Sequence, residues 1–190
     1  MLISKFDNQS MDTCIKAFEE KYRITLPEKY RKFLINYNGG ETPDTTFKIN
    51  KISSDIQGFY GLGRADKHYN FSLLERTGIL VELLEYKMLP IAKNMFGDFI
   101  LIDIGADSIG GIYFYYHDRP KRFIELTKNF ESFIDKCKSE KIGYIPTIQE
   151  RKEYLIKLGK GNKITPEKIA GWQAEIDEYK NICQEKVKLN

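Results

Sequence analysis

GDFILIDIGADSIGGIYFYYHD, residues 97–118, carries Asp98, Asp103, Asp107, His117 and Asp118, and His117 is one of the chain's 2 histidines. Read by residue type, the stretch offers the makings of a metal site or an acid–base pair. Read by spacing, it says something else. Residues 99–104 and 111–116 alternate as strands, and the polar, glycine-containing segment 105–110 joins them as a hairpin. Successive strand residues point to opposite faces, so Asp98 shares a face with Ile100 and Ile102, and Asp103 with Phe99 and Leu101. Carboxylates on opposite faces cannot share a proton. One pair survives under one condition. With Ile104 opposite Gly111, Asp98 faces His117, and a slip of one residue breaks that pairing. The alternating Ile, Phe and Tyr predict two adjacent strands of a core sheet, with Asp98 and Asp103 as strand-end and turn-fixing residues.

Toward the N-terminus the period changes. Met11, Cys14, Ile15, Phe18 and Tyr22 recur at helical spacing behind Ser10, the expected N-cap. A second helix opens at Pro27 and buries Tyr30, Phe33, Leu34 and Tyr37 before Gly39-Gly40 stops it. Residues 45–49 and 56–60 read as short strands, 69–86 as helix broken around Gly78, and 89–92 as a further strand. Downstream, a helix from Thr127 buries Phe130, Phe133, Ile134 and Cys137. Together these elements predict an α+β domain over residues 1–145, with a central mixed, mostly antiparallel sheet flanked by helices.

Beyond Pro146 the composition turns to charge with sparse apolar residues. Residues 149–158 form a short amphipathic helix and 159–162 a turn. Thr165-Pro166 then caps a longer helix whose stripe is Ile169, Trp172, Ile176, Tyr179 and Cys183. The prediction is a C-terminal helical hairpin over 146–190, packed on the domain or forming a partner or homodimer contact through that stripe.

Bulk composition narrows the function. The 190 residues hold 30 Lys+Arg and 27 Asp+Glu, and the last 40 hold nine bases and six acids. Residues 1–150 are therefore neutral, which argues against a dedicated nucleic-acid binder. No apolar run is long enough for a membrane span. The opening MLISKFDNQSMD lacks the basic start and apolar core of a signal peptide. Three cysteines, Cys14, Cys137 and Cys183, are an odd count on segments read as helical. They predict reduced thiols in a cytoplasmic protein.

Motifs of catalysis fail one by one. His117-Asp118 resembles a metal phosphohydrolase dipeptide, but adjacent strand residues diverge and only His68 could add an imidazole. A calcium loop from Asp103 would need glycine at Ser108 and glutamate at Phe114. GFYGLG, residues 58–63, continues to Asp66 where a dinucleotide loop requires a third glycine. GGIYFYY, residues 110–116, lacks the basic lead of an RNA-stacking strand, and its alternation is that of a sheet core. Neither cofactor nor metal is expected.

The blocks that remain form a pattern. LPEKYRKFLINYNGG (26–40), LPIAKNMFGDFILIDI (89–104), GGIYFYYHD (110–118) and NFESF (129–133) together resemble the SMI1/KNR4 family of the SUKH superfamily. The resemblance spans residues 10–140 and leaves 146–190 outside. It implies an α+β fold with a central mixed sheet and a non-enzymatic role. Bacterial members of that family bind and neutralise toxins delivered between cells, many of them nucleases; fungal relatives are regulatory scaffolds. It implies a cognate toxin protein as partner. A toxin acting on nucleic acid is basic at its cleft, so an acidic patch on its inhibitor would steer association. The residues expected to form it are Glu41, Asp44, Asp55, Tyr60 and Asp66. The competing expectations are a regulatory or scaffold protein of the same family and, behind it, a hydrolase built on Asp98 and His117.

Overall fold

The computed structural model describes residues 1–106, 110–119 and 122–189. The chain forms two compact units, one of Met1–Lys141 plus the residues from Gln184 onward, the other of Ile142–Cys183.

The first unit opens with β1 (Leu2–Lys5), α1 (Met11–Tyr22) and α2 (Glu28–Tyr37). Next come β2 (Gly40–Glu41), β3 (Thr45–Ile49), β4 (Ile52–Asp55), β5 (Gly58–Phe59), α3 (Phe71–Arg76) and α4 (Ile79–Glu85). It continues through β6 (Met88–Lys93), β7 (Phe99–Asp103), β8 (Ile112–Tyr115), β9 (Phe123–Thr127), α5 (Phe130–Lys136) and β10 (Lys138–Ser139), and β11 (Glu185–Lys186) completes it. An eight-stranded sheet runs β11-β1-β2-β5-β6-β7-β8-β9, and a three-stranded sheet runs β10-β3-β4. The ladders are antiparallel, while Gly61 and Asn70 make a parallel bridge. The fold is α+β.

Each helix is placed by its apolar stripe. α1 buries Met11, Ile15 and Phe18, and α2 buries Tyr30, Phe33, Leu34 and Tyr37. Phe33 sits at the centre of the aromatic core, its ring 5.4 Å from Tyr37, 5.2 Å from Phe59 and 5.2 Å from Phe130. One side chain of α2 thus ties β5 to α5.

The Asn-Gly-Gly after α2 does more than stop a helix. Asn38 adopts left-handed geometry, with φ 52°, and is fully buried. Its amide donates to the carbonyls of Asp7 (2.6 Å) and Leu62 (2.9 Å), and its Oδ1 accepts from Leu62 N (2.8 Å). A Cβ on Gly39 would lie 2.5 Å from the Phe59 carbonyl oxygen, and one on Gly40 2.5 Å from that of Ser4. The two glycines let the chain press against its neighbours on both sides as it enters β2.

Several local expectations change. Ser10 has φ 59° and makes no side-chain cap; its carbonyl instead accepts from Thr13 N and Cys14 N. Thr127 ends β9 and the cap of α5 is Asn129, whose side chain accepts from Ser132 N. The strand expected over 56–60 is broken: β4 ends at Asp55, and only Gly58 and Phe59 join the large sheet. Asn50, at φ 54°, turns β3 into β4. The helix expected to run to Cys183 ends at Tyr179, and the chain then rejoins the first unit. There Leu2 pairs with Lys186, Val187 and Leu189 are buried, and the Tyr37 hydroxyl accepts from Lys188 N at 2.8 Å.

The second unit contains α6 (Ile148–Lys157) and α7 (Pro166–Tyr179). Thr147 and Glu150 form a capping box on α6, and Thr165 caps α7 with Pro166 in its first turn. Arg151 of α6 pairs with Glu175 of α7 at 2.6 Å. No residue of 142–183 is fully buried.

Candidate functional site: an acidic ring around Tyr69

Glu41 lies opposite Gly58 across the β2–β5 ladder, and Gly58 opposite Lys93 across β5–β6. Paired residues share a sheet face, so one row presents an acid, a gap and a base. Tyr69 fills the gap. A Cβ on Gly58 would sit 2.6 Å from its Cε1 and 2.9 Å from its Cδ1. Asp66 aims the ring by capping the short turn Lys67–Tyr69, its carboxylate accepting from His68 N at 2.8 Å. Phe6 stacks on Tyr69 with centroids 6.1 Å apart, and Lys93 Nζ lies 4.6 Å from the ring centre. The same ammonium donates to the His68 carbonyl at 3.1 Å.

The electrostatics report the neighbourhood. The Tyr69 hydroxyl is pushed up to about 12, first by burial and then by the negative charges of Glu41, Asp66 and Asp55. Burial pulls the Lys93 ammonium below its ordinary value, with Asp66 opposing that pull. Asp55 adds a structural role, its Oδ2 accepting from Gln57 Nε2 (2.7 Å) and from Met95 N (3.1 Å). Three carboxylates therefore act on one tyrosine, with one half-buried lysine beside it. Alanine at position 58 is expected to displace the Tyr69 ring and cost about 1–3 kcal/mol by overpacking; tyrosine fluorescence and a urea melt of Gly58→Ala measure both.

Of the five residues expected in the acidic patch, Glu41, Asp55 and Asp66 lie close enough for their charges to act on Tyr69. Asp44 stands elsewhere, exposed at φ 48° beside β3, its carbonyl accepting from Glu140 N. Tyr60 is 2% exposed, packed 6.4 Å from Tyr69, 5.9 Å from Phe71 and 6.4 Å from Phe99. It is a core residue and offers no surface contact, because it directly follows β5 and turns into the sheet's aromatic layer. Tyr69 and Lys93 escaped the sequence reading, since nothing local marks a residue that fills a gap left by a glycine eleven positions away.

Asp98 and His117 do meet, though not in the register thought necessary. Phe99 pairs with Tyr115 and Ile102 with Ile112, one residue off the Ile104–Gly111 pairing. The contact persists because both residues lie outside the ladder, where strand parity no longer governs direction. His117 Nδ1 is 2.8 Å from Asp98 Oδ1, and His117 N donates to the same oxygen at 3.2 Å. Asn94 Nδ2 donates to Oδ2 at 3.0 Å, and Asn94 Oδ1 accepts from Phe96 N and Asp98 N. One carboxylate oxygen thus holds the β6–β7 turn and the other ties that turn to the chain leaving β8. Asp103 has a similar role at the far end of β7, its Oδ1 accepting from Gly105 N at 2.8 Å.

Burial raises the Asp98 carboxyl, but the bonds from His117 and Asn94 outweigh it and hold the group below its ordinary range. A carboxylate depressed in the folded state contributes stability above its unfolded pKa, near 3.9, and loses it as pH falls through the lower folded value. Asp98→Asn is expected to flatten the acid limb of a stability–pH curve measured by urea melts.

Among the described residues no three His, Cys, Asp or Glu side chains converge as a metal-binding set. No described helix is long and apolar enough to cross a membrane. Asp107 and Ser108, the middle of the rejected calcium loop, lie outside the described residues. None of the cysteines is in a disulfide, and burial pushes the Cys137 thiol up to about 12, far from a reactive thiolate.

In the second unit Ile169, Trp172, Ile176 and Tyr179 are half-buried along α7. Tyr144, Pro146, Tyr154, Leu155 and Trp172 line a groove of about 520 Å³. The Arg151 guanidinium and the Lys168 ammonium each lie 5.9 Å from the Trp172 ring centre.

A family model described as SMI1 / KNR4 family (SUKH-1) matches residues 12–136. That span runs from α1 to the end of α5 and holds Glu41, Asp55, Asp66, Tyr69, Lys93, Asp98 and His117. No curated protein and no solved structure matches the chain.

Proposed function

We propose, on the premise that the chain belongs to the SMI1/KNR4 (SUKH-1) family, that it is a non-enzymatic protein-binding domain of the immunity type. Its partner is a cognate toxin protein, neutralised by binding. The observation that carries the reading is the acidic ring, in which Glu41, Asp55 and Asp66 act on Tyr69 beside Lys93. A surface with three acids to one lysine and a fixed aromatic among them supplies both steering and an apolar contact. A nuclease toxin, basic where it holds phosphates, is the matching partner class. The hydrolase alternative has less support, because the Asp98 carboxylate is engaged through one oxygen with Asn94 of its own turn and through the other with both the backbone and the ring of His117.

The test pairs the intact chain with the toxic domain encoded in an adjacent reading frame. Co-expression should rescue growth. Glu41→Gln with Asp66→Asn removes two charges while keeping the turn cap, and should slow association several-fold at low salt, with the difference shrinking as salt screens it. Asp44→Asn, outside the ring, should leave association unchanged. An association rate indifferent to the double substitution would remove the ring from the function.

The α7 stripe Ile169, Trp172, Ile176 and Tyr179 is a separate proposal, a contact with a second copy of the chain. Its support is a helix pair with no fully buried residue. Sedimentation giving a monomer mass at every concentration would remove it.

A further inference from the structure

The turn between β6 and β7 exposes Met95 (67%) and Phe96 (70%) side by side. Two large apolar side chains left in water gain nothing for the folded chain. Yet the turn is rigidly built around them. Met95 N donates to Asp55 Oδ2, and Phe96 N and Asp98 N donate to Asn94 Oδ1. Asn94 Nδ2 donates to Ser54 Oγ and Asp98 Oδ2, and His117, just past the end of β8, closes on Asp98. Nothing in that network rewards exposing the two tips; it fixes the backbone that presents them. A turn already ordered loses little conformational freedom when its side chains enter a pocket, which is how preorganised anchors gain affinity.

The surroundings identify what such an anchor would enter. Asp55, which holds Met95 N, is also one of the three acids around Tyr69. The apolar tip therefore rises from the edge of the acidic ring. Anionic lipid headgroups would be repelled there, whereas a basic protein surface would be attracted. We infer that Met95 and Phe96 insert into an apolar pocket on a protein partner whose rim is basic, with Asp55, Glu41 and Asp66 facing that rim. The inference rests on the protein-binding reading above and adds the anchor residues and the shape and charge of the partner's surface.

Three measurements on the intact chain test it. The toxic domain from the adjacent reading frame is titrated against the wild type, against Met95→Ala/Phe96→Ala and against Phe96→Leu. Vesicles of phosphatidylserine and phosphatidylcholine serve as the lipid probe. The double alanine variant should weaken binding by at least about 30-fold, the level of a hot-spot truncation, through faster dissociation with association nearly unchanged. Phe96→Leu, still apolar, should stay within a few-fold of wild type. Both residues are exposed, so the melting temperatures should coincide and a folding defect is excluded directly. Tight binding by wild type and double variant alike would overturn the anchor while leaving the protein-binding reading in place. Vesicle binding that depends on Met95 and Phe96 would overturn the protein pocket in favour of a lipid surface. Failure of the wild type to bind the toxic domain would overturn both readings.

Discussion

Phe33→Ala is expected to destabilise the protein by about 3–5 kcal/mol, the usual cost of truncating a core phenylalanine. Phe33 is fully buried, and its ring touches Tyr30 and Tyr37 on its own helix, Phe59 on β5 and Phe130 at the start of α5. Those partners come from three separate elements, so a cavity there cannot close by a small shift of one of them. The loss approaches the whole stability of a domain at the low end of the usual range of about 5–15 kcal/mol. Urea melts of wild type and variant should show a large fall in midpoint. Phe33→Leu, which keeps most of the volume, should recover more than half of the loss. A fall below about 1 kcal/mol for the alanine variant would mean that the aromatic core is not organised around this ring.

Asn38→Ala is expected to cost a similar amount by a different route. Its amide group satisfies the carbonyls of Asp7 and Leu62 and the N–H of Leu62, and the residue is fully buried. Removing it strands the Leu62 carbonyl and N–H away from water, at about 1–3 kcal/mol each before relaxation, and takes a partner from the part-buried Asp7 carbonyl. Alanine must also hold the left-handed backbone, φ 52°, which asparagine tolerates better, adding about 1 kcal/mol. Asn38→Gly separates the two causes. Glycine relieves the backbone term only, so it should recover about 1 kcal/mol of the alanine loss. Equal losses for alanine and glycine would assign the whole effect to the hydrogen bonds.

These two positions show how unevenly the fold can be read from the chain. The α2 stripe of Tyr30, Phe33, Leu34 and Tyr37 is legible because helical spacing is a local property, repeated within a few consecutive turns. The alternation in residues 99–104 and 111–116 is legible for the same reason. Gly39-Gly40 reads locally as a helix stop, but nothing local marks Asn38 before it, whose carboxamide works on partners 31 and 24 positions away. β2, β5, β10 and β11 are two residues each, too short to carry a period, and exist because neighbouring strands offer them hydrogen bonds. β9 is hidden because Phe123 to Thr127 leads directly into a helix whose start the apolar pattern places at Thr127.

The candidate site divides the same way. Glu41, Asp55 and Asp66 read from the sequence as acids in loops, although Glu41 belongs to β2 and Asp55 ends β4; charge composition does not say which acids converge. Their convergence follows from strand pairing that sets Glu41, Gly58 and Lys93 in one row, and from a turn that drops Tyr69 onto the missing side chain. Tyr60, chosen for its type, is drawn inward because the residue after β5 faces the packed side of the sheet. Asp98 and His117 meet through the path of the chain beyond the ladder, where alternation stops being a guide.

By itself the amino-acid order determined the α+β class, the helices with repeating apolar faces, the core strands and the family blocks, because each is written in the spacing of near neighbours. Folding in three dimensions decided which acids share a surface, which aromatic sits at its centre, where the two-residue strands lie and which apolar turn stays in water. Those outcomes depend on register and on distant partners, and such contacts leave no period in the sequence.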